Sequence, residues 1–345
     1  MIDLRSDTVT LPTPEMYQAM LKAQLGDDVF EDDPTTIKLE ELAARRIGTE
    51  ASMLVASGTM ANLVCSLTHC GRGNEVILGD LSHMFVNEVG GMAALGGINP
   101  HILPNQPDGT MKLADIEAAI RGDDVHYPRT RLICLENTHN RCYGAVLTPA
   151  YIDAVVKLAR RYDVLVHLDG ARIFNAAVAL DKDVKEFTHG VDSVSFCLSK
   201  GLSGPIGSVV CGTAAFISEA RRYRKMLGGG MRQTGIIAAT GIVALNTMIE
   251  RLASDHANAK KLAEGIAGIP GLSIELDKVH TNIIYFDLTA KRLDPDDLVT
   301  RLGNQGIKFL LTGPRHYRMV THFGIEAEDI DRTLQALRDV MGKAG

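Results

Sequence analysis

Short apolar runs alternate with stretches that repeat apolar residues every three to four positions, the pattern of strands interleaved with helices. The runs predict strands at Glu50–Val55, Glu75–Leu78, His101–Leu103, Arg131–Glu136, Val164–Leu168 and Ser208–Gly212, with one more through Val191, Val194, Phe196 and Leu198. Helical spacing predicts Glu15–Gln24, Thr35–Ile47, a helix opened by Ser57-Gly58-Thr59, and one begun by Ser82-His83 that carries Phe85, Asn87 and Glu88. It continues with Lys112–Ile120, Tyr151–Tyr162, Glu219–Leu227 and a long helix over Thr234–Leu252. Polar residues gather just past several strand ends, as in an open parallel sheet, whose ligand site forms there.

Near residue 252 the pattern changes to a helix, the turn Pro270-Gly271, and strands at Leu272–Leu276, Asn282–Leu288, Lys308–Leu311 and Tyr317–Thr321, with helices at Asp296–Gly303 and Glu328–Met341. The first residues alternate polar groups and reach Pro12 and Pro14, so they read as an extended arm. The expected organisation is an arm over 1–14, a large α/β domain with a mostly parallel sheet over 15–251, and a smaller α+β domain over 252–345.

Composition narrows the function classes. A net charge of −6 gives no footprint for nucleic acid. Asp3, Arg5 and Asp7 stand where an export signal needs an apolar run, and Ile236–Ile249 is too short to span a membrane, so a cytoplasmic protein is expected. The six cysteines include no C-x-x-C pair and read as buried free thiols. The eleven histidines include no H-E-x-x-H pair, so no catalytic metal is expected.

The chemistry centres on Lys200. An alternating strand delivers it to the glycine-rich loop Gly201–Gly207, where a desolvated amine can attack a carbonyl. Asp169, behind the apolar run VLVHL, offers a poorly solvated carboxylate that calls for a cationic partner, and Arg172 follows three residues on. Ser57-Gly58-Thr59 places free N–H groups and a helix dipole where a phosphate could rest, although such caps also start helices that bind nothing. A phosphate cradle, the imidazole of His83, a buried carboxylate and a lysine describe a pyridoxal 5'-phosphate (PLP) site.

The chain resembles the PLP-dependent threonine aldolases of the aspartate-aminotransferase fold type, PLP fold type I. The resemblance is carried by RSDTVT (5–10), SGTMAN (57–62), Ser82-His83, ENTHN (136–140), HLDGARIFNA (167–176), FCLSKGL (196–202), MLGGGMRQ (226–233) and RMVTH (318–322), in the family's order. It implies that Lys200 forms the Schiff base, Asp169 faces the ring nitrogen, Arg172 the phenolic oxygen, and His83 stacks on the ring. It further implies that Gly58 and Thr59 hold the phosphate, joined by Arg232 from a neighbouring subunit, and that Ser6, Arg172 and Arg318 bind the substrate. The implied reaction is reversible retro-aldol cleavage of L-threonine, L-allo-threonine and related β-hydroxy-α-amino acids to glycine and an aldehyde, through an external aldimine.

His83 or His126 would handle the β-hydroxyl proton. His139, His167 and His322 lie in the same motifs and receive no catalytic role. Asn87 stands where family members often carry an aromatic residue, on the aldehyde side. The resemblance also implies a homotetramer, a dimer of dimers, with small amino acids and aldehydes as its substrates. The rival readings are a β-eliminating lyase, an aminotransferase or a racemase on the same scaffold, and a binding protein that has lost catalysis.

Overall fold

The computed structural model describes residues 1–342. The arm opens with the short strand β1 (Ile2–Asp3). A seven-stranded sheet follows, built from β2 (Ala51–Val55), β3 (Glu75–Gly79), β4 (Asn99–Leu103), β5 (Thr130–Glu136), β6 (Leu165–Asp169), β7 (Ser193–Cys197) and β8 (Ser208–Gly212). Its order is β2-β8-β7-β6-β5-β3-β4. β4, β3, β5, β6 and β7 pair in parallel, while β8 runs antiparallel to both β7 and β2. β3, β7 and β8 are buried at every residue, as strands covered on both faces by helices must be.

The C-terminal part holds a four-stranded antiparallel sheet. Its strands are β9 (Leu272–Ser273), β10 (Ile283–Leu288), β12 (Leu310–Gly313) and β13 (His316–Val320), in the order β12-β13-β10-β9. β11 (Ile307–Lys308) pairs instead with β1, and Ile2 and Leu4 of the arm are buried in the C-terminal core beside Leu262, Phe286 and Tyr317. Each such aliphatic side chain stabilises that docking by about 1.5–3 kcal/mol.

The elements depart from the sequence expectation in physically instructive places. Four helices begin earlier, at Pro14, Pro34, Pro149 and Pro295. In each case Thr13, Asp33, Thr148 or Asp294 caps the first turn with its side chain, and proline is well placed at N1, where no N–H is needed. The helix expected over Thr234–Leu252 runs from Gly235 to Met248, its last five residues Ala244–Met248 in a wider turn, and a bend of 67° separates it from the next helix, Leu252–Ala267, where a change of pattern was expected near residue 252. Within that wider turn Thr247 Oγ1 donates back to the Val243 carbonyl at 2.9 Å.

The expected strand over Lys308–Leu311 is divided at Phe309, whose buried side chain enters the C-terminal core between β11 and β12. The strand expected to Leu276 stops at Ser273. The His83 helix ends at Val86, with Asn87 as its C-cap, so Glu88 lies beyond it. Among the described residues no single helix is long and apolar enough to cross a membrane.

Candidate active site

Two adjacent strand ends create the centre. β6 ends on Asp169, and β7 leads through Leu198 and Ser199 to Lys200. Gly170 lets the chain turn tightly between them, since a Cβ there would sit 2.8 Å from the Ser195 carbonyl oxygen. Gly58, Asp169, Arg172, Lys200 and His83 all line one cleft, together with Asn62, Glu136, Asn140, Ala171 and Cys197. Lys200 Nζ enters no hydrogen bond or ion pair among the described residues.

Asp169 is 2% exposed. Its Oδ1 accepts from the Ala171 N–H at 3.0 Å and its Oδ2 from Asn62 Nδ2 at 2.8 Å. It has no cationic partner among the described residues. A buried carboxylate satisfied only by neutral donors suits a cationic ligand.

His83 is positioned from two sides. Its backbone N–H donates to Glu136 Oε2 at 2.7 Å, and Nδ1 bonds Glu88 Oε1 at 2.8 Å. Glu136 sits beside Asp169 in register at the sheet's edge of the cleft, and its Oε1 accepts from the Asn140 N–H at 2.9 Å. The bond to Glu88 pushes the His83 imidazole up, against the effect of burial, and the charges of Asp169 and Glu88 add to it.

Gly58 and Thr59 begin the helix Gly58–His69, whose cap is the Ser57 hydroxyl accepting from the Met60 N–H at 3.2 Å. A Cβ on Gly58 would come within 3.0 Å of Cys197 Sγ, so glycine keeps this end of the cleft open. The anion-binding end of the helix therefore faces the same space as Lys200.

Arg172 reaches across the chain to Asp7 in a bidentate pair, Nε to Oδ2 at 2.7 Å and Nη2 to Oδ1 at 2.6 Å, with both residues buried. Its Nη1 remains uncommitted. Arg318 donates from Nη1 to Asn140 Oδ1 at 2.9 Å and from Nη2 to the Arg5 carbonyl at 3.0 Å. It lines an adjoining cavity of about 370 Å³ with Asn87, Asn140, Tyr285 and His316. Ser6 is engaged locally: its Oγ accepts from the Thr8 N–H at 3.3 Å, and it lines neither space.

His126 and Arg232 are not brought to the cleft of their own chain. His126 is 82% exposed and its Nδ1 bonds Asp124 at 2.7 Å within its own loop. Arg232 is half exposed and pairs with Asp27 Oδ2 at 3.1 Å. A larger cavity of about 620 Å³, lined by Arg45, Phe174, Lys185 and Ile249, holds none of the expected chemistry.

Sequence reasoning gave no site role to Asn62, Glu88 and Asp7. Asn62 lies one helical turn beyond Gly58 and hence on the same face, which was a usable signal. Asp7 and Arg172 are 165 positions apart, and no local pattern couples them.

The fold and this lysine-centred cleft define an α/β lyase, and the beta-eliminating lyase family profile matches residues 3–289. The chain is 45% identical over 344 residues to low-specificity L-threonine aldolase 1 of Arabidopsis thaliana, covering 99% of this chain and 96% of that protein. It is 42% identical over 332 residues to the low specificity L-threonine aldolase of Escherichia coli K12, covering 96% of each. The chain belongs to the low-specificity L-threonine aldolase family. A solved threonine aldolase from Leishmania major shares the fold at 19% identity, with a TM-score of 0.85 over 99% of this chain and all of that one.

Proposed function

We propose that this enzyme cleaves L-threonine, L-allo-threonine and related β-hydroxy-α-amino acids to glycine and an aldehyde with PLP as its cofactor. The observation that carries the reading is Lys200, its Nζ uncommitted, in one cleft with the buried and unpaired carboxylate of Asp169 and the helix N-terminus at Gly58. These residues fit the cofactor: Lys200 would hold its aldehyde, Asp169 its ring nitrogen, and the Gly58 and Thr59 N–H groups its phosphate, while His83 would flank the ring and Arg172 Nη1 its phenolic oxygen. Bound there, PLP supplies the electron sink for the Cα–Cβ bond pair.

The chain's own groups do the rest. Arg318 binds the α-carboxylate at the mouth of the adjoining cavity, with Arg172 and the arm residue Ser6 as the other candidates for that contact. His83 takes the β-hydroxyl proton at Nε2, because Nδ1 is engaged by Glu88. Asn87 and Tyr285 border the space that would receive the aldehyde part. Borohydride treatment of the yellow holoenzyme should fix the reduced cofactor on the Lys200 peptide, and threonine should yield glycine and acetaldehyde in equal amounts. 2-Oxobutyrate and ammonia as the products would assign the chain to another lyase reaction.

We also propose a homotetramer in which His126 and Arg232 act in a neighbour's cleft. Supporting this, Arg232 borders the loop carrying Phe30, and Leu21, Phe30 and Met226 are more than two-thirds exposed. Sedimentation at the monomer mass would remove both residues from the site. The cytoplasm is the compartment we propose, since all six thiols are free and buried.

A further inference from the structure

Asn62 is 2% exposed and makes four side-chain hydrogen bonds in the floor of the cleft. Nδ2 lies 2.9 Å from Glu88 Oε1 and 2.8 Å from Asp169 Oδ2. Ionised carboxylates only accept, so the amide must present its N–H₂ group to them and its oxygen to the other side. There Oδ1 meets Ser195 Oγ at 2.9 Å and His167 Nε2 at 3.2 Å.

This orientation fixes the next links. His167 must carry its hydrogen on Nε2, and burial draws its pKa down to about 4, so it is neutral and Nδ1 is an acceptor. Ser193 Oγ, 2.8 Å from His167 Nδ1, then donates to it and in turn accepts from His69 Nε2 at 2.8 Å. His69 is held neutral too, burial drawing it down to about 3, and its ring stacks on Phe216. Every donor in the chain His69, Ser193, His167, Asn62 therefore points toward Glu88 and Asp169.

We propose that Asn62 is a positioning residue that keeps Glu88 and Asp169 ionised side by side, one to face the cofactor nitrogen and the other to hold the proton on His83 Nδ1. This rests on the reading of the cleft as a PLP site. Two like charges this close in a buried place ordinarily force one to take a proton. Burial pushes Glu88 up, and the charge of Asp169 adds to that. The His83 bond draws Glu88 back down first, and Asn62 adds to it by donating to each carboxylate at once, backed by a polarised row of neutral groups.

A cation could compete for the same place, because His83, Glu88 and Asp169 offer ligand atoms within 4.8 Å of one another. The Asn62 N–H₂ group points into that cluster and presents hydrogens where a cation requires lone pairs.

The test compares holoenzymes of the parent, Asn62→Leu, Glu88→Gln and the double variant, by PLP affinity from equilibrium dialysis and by the pH dependence of the cofactor absorbance. Asn62→Leu should weaken PLP roughly tenfold or more, about what the loss of one hydrogen bond to a buried charged carboxylate costs. The double variant should regain most of that affinity, since the second buried charge is gone. Glu88→Gln alone should keep PLP affinity and move the acid limb of the rate profile to lower pH, because His83 loses the partner that raises it. A structural role for Asn62 would not be reversed by Glu88→Gln. Parent-like PLP affinity and pH response in Asn62→Leu, or a double variant no tighter than Asn62→Leu, overturns the proposal. Should Asn62→Leu not fold, Ser195→Ala, which removes one donor to Asn62 Oδ1, must show a smaller weakening reversed by Glu88→Gln, and its absence overturns the proposal equally. Parent protein that binds no PLP overturns the cofactor reading itself.

Discussion

Lys200→Ala is expected to lower turnover by roughly a millionfold, the scale on which removal of a reacting nucleophile acts, with little change in melting temperature. The fold should not feel the loss, because Nζ has no hydrogen-bond partner among the described residues. The loop is held by its own backbone: the Ser203 N–H donates to the Lys200 carbonyl at 2.9 Å, Gly204 to Leu198 at 2.9 Å, and Leu198 to Gly207 at 3.0 Å. Lys200→Arg separates charge from chemistry. It restores a cation near Asp7 and His83 but offers a guanidinium that stays protonated and cannot attack a carbonyl. Both variants should therefore be inactive in an assay of glycine and aldehyde release, and neither should yield a borohydride-stable adduct. Appreciable activity in Lys200→Arg would mean that only the positive charge matters and would end the covalent reading.

The residues that sequence reasoning placed well share one property: their position follows from local pattern. Asp169 and Lys200 each stand at the end of an apolar run, and a parallel sheet brings successive strand ends to one edge, so their meeting was legible before any coordinates. Gly58 stands at a helix start and was legible in the same way. The wider turn at Ala244–Met248 was not: there Thr247 turns its hydroxyl back on Val243, and a Thr in an apolar helical stretch does so in some contexts and not in others.

What escaped was nonlocal. Asn62 looks like one more helix residue until β6 and β7 bring His167, Asp169 and Ser195 around it. Arg232 entered the expected site through family resemblance and His126 as an imidazole suited to the β-hydroxyl proton, and both stand at the surface of their own chain, each tied to a neighbouring aspartate. Arg172 and Asp7 show the same lesson in reverse. The arginine was expected to be free for ligands, and two of its three nitrogens are instead committed to the arm.

That commitment carries the second large effect. Asp7→Asn is expected to cost about 3–5 kcal/mol at neutral pH, because it leaves the Arg172 guanidinium buried without its counter-ion. Asp7 joins three parts of the molecule: the arm that bears it, Arg172 just past β6, and Asn282 before β10, whose Nδ2 lies 3.4 Å from Oδ2. Burial by itself pushes the Asp7 carboxyl up, but the charge and hydrogen bonds of Arg172 outweigh it, and Lys200 and Asn282 add to them, so the group is held well below the usual carboxylate range. A pKa lowered in the folded state gives stability that is complete above the unfolded value of about 3.9 and is lost as pH falls through the folded one. The gap between parent and Asp7→Asn in urea unfolding should thus be widest near pH 7 and narrow steadily below about pH 4, as the unfolded parent gains a proton that its folded form resists. A gap that stays constant down to pH 3 would mean that Asp7 is not held below its unfolded range, and no gap at all would mean that the arm is held by Ile2 and Leu4 alone. In that case Asp7 would be free to serve the cleft as a proton carrier, a role that its fixed charge beside Arg172 denies it.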